Sequence, residues 1–280
     1  MPKELLTVQE RTAPRLQPAW TRYGKALGQN LRARAEILLV PVGVATFLGL
    51  WQLVATVGGY PYFILPSPGR VLGRLVSLAA SGSLWWHAWI TVREILGGLA
   101  LGLGTASTLG YFLARFHQLE KVLSPYIVAS QAIPIVALAP LLVIWFGFGG
   151  LSKVLVCALV VFFPVLVNTV VGLRGVDANL RVLMRTYEAS PWQTCRMLEL
   201  PAALPVLLGG LKVGVTLSVI GAVVGEFVGA DRGLGFLVNL GQGLMDTPLM
   251  FVSIFTLVVI ALTLYGAVSL LESVLLSWRS

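Results

Sequence analysis

The chain has 280 residues, of which 57% are hydrophobic and only 11% charged, with a formal net charge of +8. Soluble globular proteins carry about 25% charged residues, so the composition excludes that class and points to an integral membrane protein. Long apolar runs, rather than short alternating ones, make it an all-α polytopic bundle of about six transmembrane helices, because helices satisfy their own backbone polar groups in lipid.

Residues 1–36 form a polar N-terminal segment with seven basic residues from Lys3 to Arg34. The transmembrane domain is expected over residues 37–277. Its first span, Ile37–Val57, has 21 residues, enough at about 1.5 Å each to cross a hydrocarbon core of about 30 Å. The basic leader places the N-terminus in the cytoplasm. Gly58–Trp86 is an outer excursion in which Ser67 and Pro68 open a short interfacial helix, with Trp85 and Trp86 at headgroup level.

The second span runs from about His87 to Ala114. Gly98 and Gly102 in it are a small-xxx-small pair suited to close helix packing. A short basic inner loop, Arg115–Lys121, leads to a third span, Val122–Phe146, whose Pro125, Pro134 and Pro140 predict kinks. Gly147–Lys153 is read as an outer turn, and Val154–Leu173 as the fourth span. A long polar interruption follows, over about residues 174–203. The fifth span is about Leu204–Val228, Gly229–Thr247 is an outer loop, and the sixth span is Pro248–Leu276. Fourteen of the twenty basic residues fall on the inner side in this scheme, with both termini cytoplasmic.

No P-loop pattern occurs, two cysteines make no disulfide framework, and two histidines make no metal cluster. No catalytic residue, cofactor or metal is expected. The basic residues lie between apolar runs, so the charge reflects topology and not nucleic-acid binding. Ionisable residues within spans carry functional hypotheses by default, and four qualify: Arg93, Glu94, Lys212 and Glu226. Gln131, Asn168, Thr216 and Ser218 are polar groups suited to line a path. The translocation-path candidates are Gln131, Asn168, Ser218 and Glu226.

The interruption itself reads as helix–turn–helix. Asp177 is an N-cap, and Leu180, Leu183, Met184 and Tyr187 recur on one helix face beside Arg181 and Arg185. Ser190 opens a second helix with Pro191 at its first position and Gln193 completing a capping box. That helix carries Trp192 and Cys195 and is expected to stop at Leu200-Pro201.

This stretch resembles the cytoplasmic loop of permease subunits of binding-protein-dependent ABC importers, which has a Glu-Ala-Ala start, a Gly four residues after the second Ala, and an Ile-x-Leu-Pro end. Leu198-Glu199-Leu200-Pro201 matches that end and sets the register. Counting back, the Gly position falls on Glu188 and the Glu-Ala-Ala positions on Val182, Leu183 and Met184, so this sequence departs from the pattern at both. Leu65-Pro66-Ser67-Pro68, Leu200 to Pro205, and Gly225-Glu226-Phe227-Val228-Gly229-Ala230 with Gly233-Leu234-Gly235 are similar to the nitrate, sulfonate and taurine permease group. Asp246-Thr247-Pro248-Leu249 with Phe251 resembles its branch for riboflavin or thiamine-pyrimidine precursors.

The resemblance implies the type I importer fold and a non-catalytic permease in the bacterial inner membrane. It implies a second permease subunit (an identical copy or a paralogue), two cytoplasmic ATPases, an extracytoplasmic binding protein and a small organic solute. The ATPase-docking residues would be Leu180, Arg181, Met184, Arg185, Tyr187, Ser190 and Trp192. An aliphatic sulfonate, taurine or nitrate is the alternative cargo. An ion-coupled secondary transporter is the rival class, which needs coupling carboxylates near the midplane.

Overall fold

The computed structural model describes residue 39 and residues 41–277, all helix and connection. The N-terminal segment 1–36 and the start of the first expected span lie outside the described residues. Two units are distinguished, residues 1–60 and 61–280. In the first, helix α1 (Pro41–Val57) is apolar, and within it Phe47 and Trp51 pack ring to ring at 6.2 Å.

The second unit contains α2 (Pro68–Ala80), α3 (Ser83–Arg115), α4 (His117–Gln131), α5 (Ile135–Phe146), α6 (Gly150–Arg174), α7 (Ala178–Thr186), α8 (Pro191–Thr194), a π-helical turn (Cys195–Glu199), α9 (Leu200–Gly229), α10 (Leu234–Gly243) and α11 (Thr247–Leu275). Among the described residues, four helical runs are long and apolar enough to cross a membrane: α3, α6, Pro191–Gly229 and α11. The helices α4 and α5 form an apolar pair bent by 93° at the break between them, the shape of a broken span or a re-entrant loop.

Helix α6 is the centre, packed along its length against α3 on one side and α9 on the other. Its neighbours approach through missing side chains. A Cβ at Gly98 would stand 2.1 Å from Cβ of Cys157, and one at Gly221 would stand 2.8 Å from its Cα. Cys157 is fully buried between them, a packing residue as its surroundings require. Around this contact Leu99, Ala106, Leu113, Val161, Val165, Leu166, Val215 and Val268 form the main apolar core. The rest of α11 is mostly uncovered, with Val259 and Leu262 exposed, as expected of a face turned to lipid or to another subunit.

Several boundaries differ from the sequence expectation. The three-proline span is a bent pair rather than one kinked helix, because Pro134 removes an N–H and forces the preceding residue out of the helical region. The basic loop Arg115–Lys121 is absorbed, apart from Phe116, into the ends of α3 and α4. The expected outer loop contains α10, packed on α9 and α11. The helix opened by Ser190 does not stop at Pro201. It continues through the π-helical turn into α9, with Pro201 in the first turn of α9. A proline there clashes with the carbonyl four residues back, and the wider π turn takes up the misfit.

Helix α2 follows Ser67 and Pro68 as expected, although the Ser67 side chain makes no cap bond. Arg74 of α2 donates to Asp246 at 2.6 Å, and Asp246 in turn caps α11 by accepting from the N–H of Leu249 at 3.1 Å. Lys212 pairs with Glu272, which joins α9 to α11.

Candidate functional site

The long helices α3, α6 and α9 give the bundle two ends. One bears α7 and α8 and is called the loop end here; the other holds the start of α6 and the connection from α9 to α10.

At the loop end, α7 starts as the sequence requires: the Asp177 carboxylate accepts from the N–H of Asn179 at 2.8 Å. It ends in a Schellman motif. The N–H of Ala189 bonds to the carbonyl of Met184 at 3.0 Å, and that of Glu188 to Arg185 at 2.9 Å. Closing these bonds needs a left-handed residue at the turn, and Glu188 has φ +53°. This is the residue in register with the family's Gly. The next helix opens with the full capping box: the N–H of Gln193 donates to Ser190 Oγ at 3.2 Å, and the N–H of Ser190 to Gln193 Oε1 at 2.7 Å.

The expected docking residues fall into two groups. Leu180, Arg185, Tyr187 and Trp192 are exposed, Tyr187 at 76% and Trp192 at 70%, and Met184 is half-buried. Together they present an apolar surface with a cation beside it. Arg181 turns inward instead. Its Nη2 donates to the carbonyl of Leu173 at 2.5 Å, and its Nε lies 3.3 Å from the buried carboxylate of Glu199. Arg115 of α3 approaches the same carboxylate at 3.5 Å. Glu199 sits in the π-helical turn, so this turn, α7 and the end of α3 are held by one carboxylate. Arg115, Arg181, Arg185, Glu199 and Tyr111 line a cavity of about 270 Å³.

At the far end a second polar construction surrounds the start of α10. Its first N–H groups have no intrahelical partner, and side chains of α3 and α9 supply every acceptor. Gly233 N–H donates to His87 Nδ1 at 3.0 Å, and Leu234 N–H to Thr91 Oγ1 at 2.8 Å. Both Gly235 and Phe236 donate to Glu226 Oε2, the latter at 3.2 Å. The Thr91 hydroxyl donates to Glu226 Oε1 at 2.6 Å. This explains the Gly-Leu-Gly sequence: Gly233 has φ +114°, and a Cβ there would stand 2.3 Å from the Glu226 carboxylate.

Beside this cap lies a cavity of about 900 Å³ between the start of α3, the α5–α6 turn and the connection after α9. Its polar lining is Arg93, Glu94, Lys153, Asp231 and Arg232, and its apolar lining includes Ile90, Phe148 and Val154. Lys153 and Glu94 are both buried and face each other at 3.6 Å. Arg232 is bonded to Asp231 at 2.6 and 3.0 Å and holds that carboxyl down at about 2.

The four path candidates are not brought together. Gln131 is exposed where α4 breaks. Asn168 packs against Gly210, its amide returned to the carbonyl of Pro164 at 2.7 Å. Ser218 is buried and donates to the carbonyl of Val215 at 2.7 Å. Glu226 is the α10 cap just described. The residue missed by sequence reasoning is Lys153, read as the end of an outer turn. Helix α6 begins at Gly150, so Lys153 lies within the bundle. The glycine at 225 was the available signal, since a Cβ there would stand 3.1 Å from Cα of Lys153.

Residues 106–275 match the family described as "Binding-protein-dependent transport system inner membrane component". The chain is 49% identical over 260 residues to the riboflavin transport system permease protein RibX of Chloroflexus aurantiacus, covering 93% of this chain and 97% of that protein. It is 38% identical over 230 residues to the formylaminopyrimidine transport permease protein ThiX of Halalkalibacterium halodurans, covering 82% and 91%. Among solved structures, a chain of the MetNI methionine ABC transporter shares the fold with a TM-score of 0.52 at 19% identity, covering 67% of this chain and 96% of that one.

Proposed function

The chain belongs to the binding-protein-dependent transport system inner membrane components, and from that premise we propose that it carries riboflavin, or a closely related vitamin or pyrimidine precursor, across the cytoplasmic membrane. It is a multi-pass permease subunit of an ABC importer with the type I fold. In this reading ATP is hydrolysed by partner ATPases, the solute is delivered by an extracytoplasmic binding protein, and a second permease subunit completes the path. Both termini face the cytoplasm, and the permease domain spans residues 37–277.

The observation that carries the docking part is the surface of α7 and α8. Leu180, Tyr187 and Trp192 stand exposed at the loop end, where a short capped helix offers an apolar face to a groove in a soluble partner. Arg185 adds a cation at its edge. Arg181 contributes by fixing the loop to Leu173 and Glu199, and Ser190 by starting the second helix. The likeness to RibX supports riboflavin over a sulfonate.

The test is uptake. A bacterium that cannot make riboflavin and has no importer for it, supplied with this chain and its transport partners, should grow on low external riboflavin and accumulate labelled riboflavin. Accumulation of labelled taurine with no riboflavin uptake would assign the sulfonate cargo instead.

A further inference from the structure

Glu94 of α3 and Glu226 of α9 are buried carboxyls of the far end, 5% and 1% exposed. Their surroundings differ. A carboxylate offers about four lone-pair sites, two on each oxygen. Glu226 has three of them filled. Its Oε1 accepts from the Thr91 hydroxyl, and its Oε2 from the N–H groups of Gly235 and Phe236. A carboxyl surrounded by donors in this way is the ionised form. Glu94 has the opposite lack. Its Oε1 faces the Lys153 ammonium at 3.6 Å. Its Oε2 is buried, and among the described residues no N–H, hydroxyl or ammonium donor reaches it. What Glu94 meets instead is Glu226, and the two carboxyls are hydrogen-bonded to each other.

Two carboxylates cannot hydrogen-bond, because neither has a proton to give. The count closes when Glu94 is the acid. The O–H at Oε2 then supplies the fourth donor to Glu226. Charge closes in the same way. Lys153 brings one positive charge and Glu226 one negative, and a second carboxylate would leave an unbalanced charge inside a span, where it is expensive. The other groups around the pair leave this sum unchanged. His87 accepts from Gly233 through Nδ1, which only the neutral ring can do. The Cys157 thiol on α6 is fully buried, Arg93 is exposed, and Asp231 and Arg232 are bonded to each other. A divalent cation in place of the proton would stand beside Lys153. It would also find too few free lone pairs, since such ions take about six or more ligands.

We propose that Glu94 and Glu226 hold one proton as a bound ligand, and that this proton joins α3 to the corner between α9 and α10. Glu94 also lines the large cavity, through which the proton exchanges with water. The joint therefore answers to pH. Glutamates of the unfolded chain are ionised at neutral pH, so unfolding releases this proton, and rising pH weakens the folded state through this site. Once the proton is gone, two carboxylates face each other and repel, and α3 is pushed from the corner it helps to close.

The test uses the full chain in lipid nanodiscs. At about pH 7.5, where ordinary carboxyls are ionised, the infrared spectrum should contain a protonated-carboxyl C=O band that vanishes in Glu94→Gln. That variant keeps an N–H donor for Glu226 and the same charge sum, so it should melt close to the native temperature. Were Glu94 the ionised partner of Lys153, the same change would strip a buried cation of its anion and lower the melting temperature steeply. Between about pH 7 and pH 9 the native chain should lose melting temperature relative to Glu94→Gln, because only the native chain has this proton to release. No acid band in the native chain, a band that survives in Glu94→Gln, a steep loss of stability in that variant, or parallel dependence of the two melting temperatures on pH would each overturn the assignment.

Discussion

The N–H of Ala189 bonds to the carbonyl of Met184 at 3.0 Å, and the bond closes because Glu188, just before Ala189, is left-handed. An L-residue in that conformation costs about 1–2 kcal/mol, a penalty that glycine escapes. Glu188→Gly should therefore stabilise the loop by about 1 kcal/mol and raise the melting temperature of the detergent-solubilised chain. Glu188→Ile should lower it, since branching at Cβ makes the left-handed region worse. A Gly variant that melts below the native chain would contradict the assignment of strain to this residue.

The contact of Gly98 with Cys157 leaves no room for a methyl group. Gly98→Ala should destabilise the α3–α6 pair by about 1–3 kcal/mol, the usual range for overpacking. Adding Cys157→Gly removes the Cβ that the new methyl meets and should recover part of that loss. The pair should thus be strongly non-additive in a double-mutant cycle of thermal stability. Strict additivity would place the two helices farther apart than described.

Glu226 is expected to act on α10 before anything else. Glu226→Ala leaves the N–H groups of Gly235 and Phe236 and the hydroxyl of Thr91 without their acceptor, at about 1–3 kcal/mol for each unmet group. Hydrogen exchange over residues 234–238 should quicken at least ten-fold, while the middle of α6 keeps its protection. Thr91→Val should have a smaller effect in the same place. Uniform exchange across the chain in Glu226→Ala would show global unfolding and not an uncapped helix.

The two arginines of α7 should separate by phenotype. Arg185→Glu reverses an exposed charge and should abolish capture of the ATPase subunit on an affinity column, with membrane insertion unchanged. Arg181→Gln breaks the links to Leu173 and Glu199 and should lower the melting temperature and weaken capture only partly. Ser190→Ala, which removes the cap of α8, should destabilise the loop by about 1 kcal/mol. Full capture by Arg185→Glu would remove Arg185 from the docking surface.

Much of the loop was legible because caps and turns are local chemistry. Asp177, Ser190 and Gln193 declare themselves through short-range hydrogen bonds, and the packing role of Gly98 and Gly102 follows from their spacing. What escaped was decided by long-range contact. Lys153 looked like a loop residue because glycines precede it, yet those glycines begin α6. Arg181 and Arg185 are indistinguishable by helix position, and the neighbouring carboxylate of Glu199, far along the chain, is what turns one of them inward. The α10 helix was hidden because its start depends on His87, Thr91 and Glu226, none of them adjacent in sequence.

The unbroken helical run Pro191–Gly229 has a mechanical consequence. At about 1.5 Å per residue, its 39 residues make a rod of roughly 58 Å. Trp192 sits near one tip, and the other tip, Gly229, forms part of the wall of the large cavity. Such a rod, pivoting where Gly210 and Gly221 clasp α6, behaves as a lever. A tilt of about 1° carries one tip about 1 Å relative to the other over this length. A small stroke delivered at Trp192 would thus reach the cavity wall as motion along a single piece of backbone, with no relay of side chains between them.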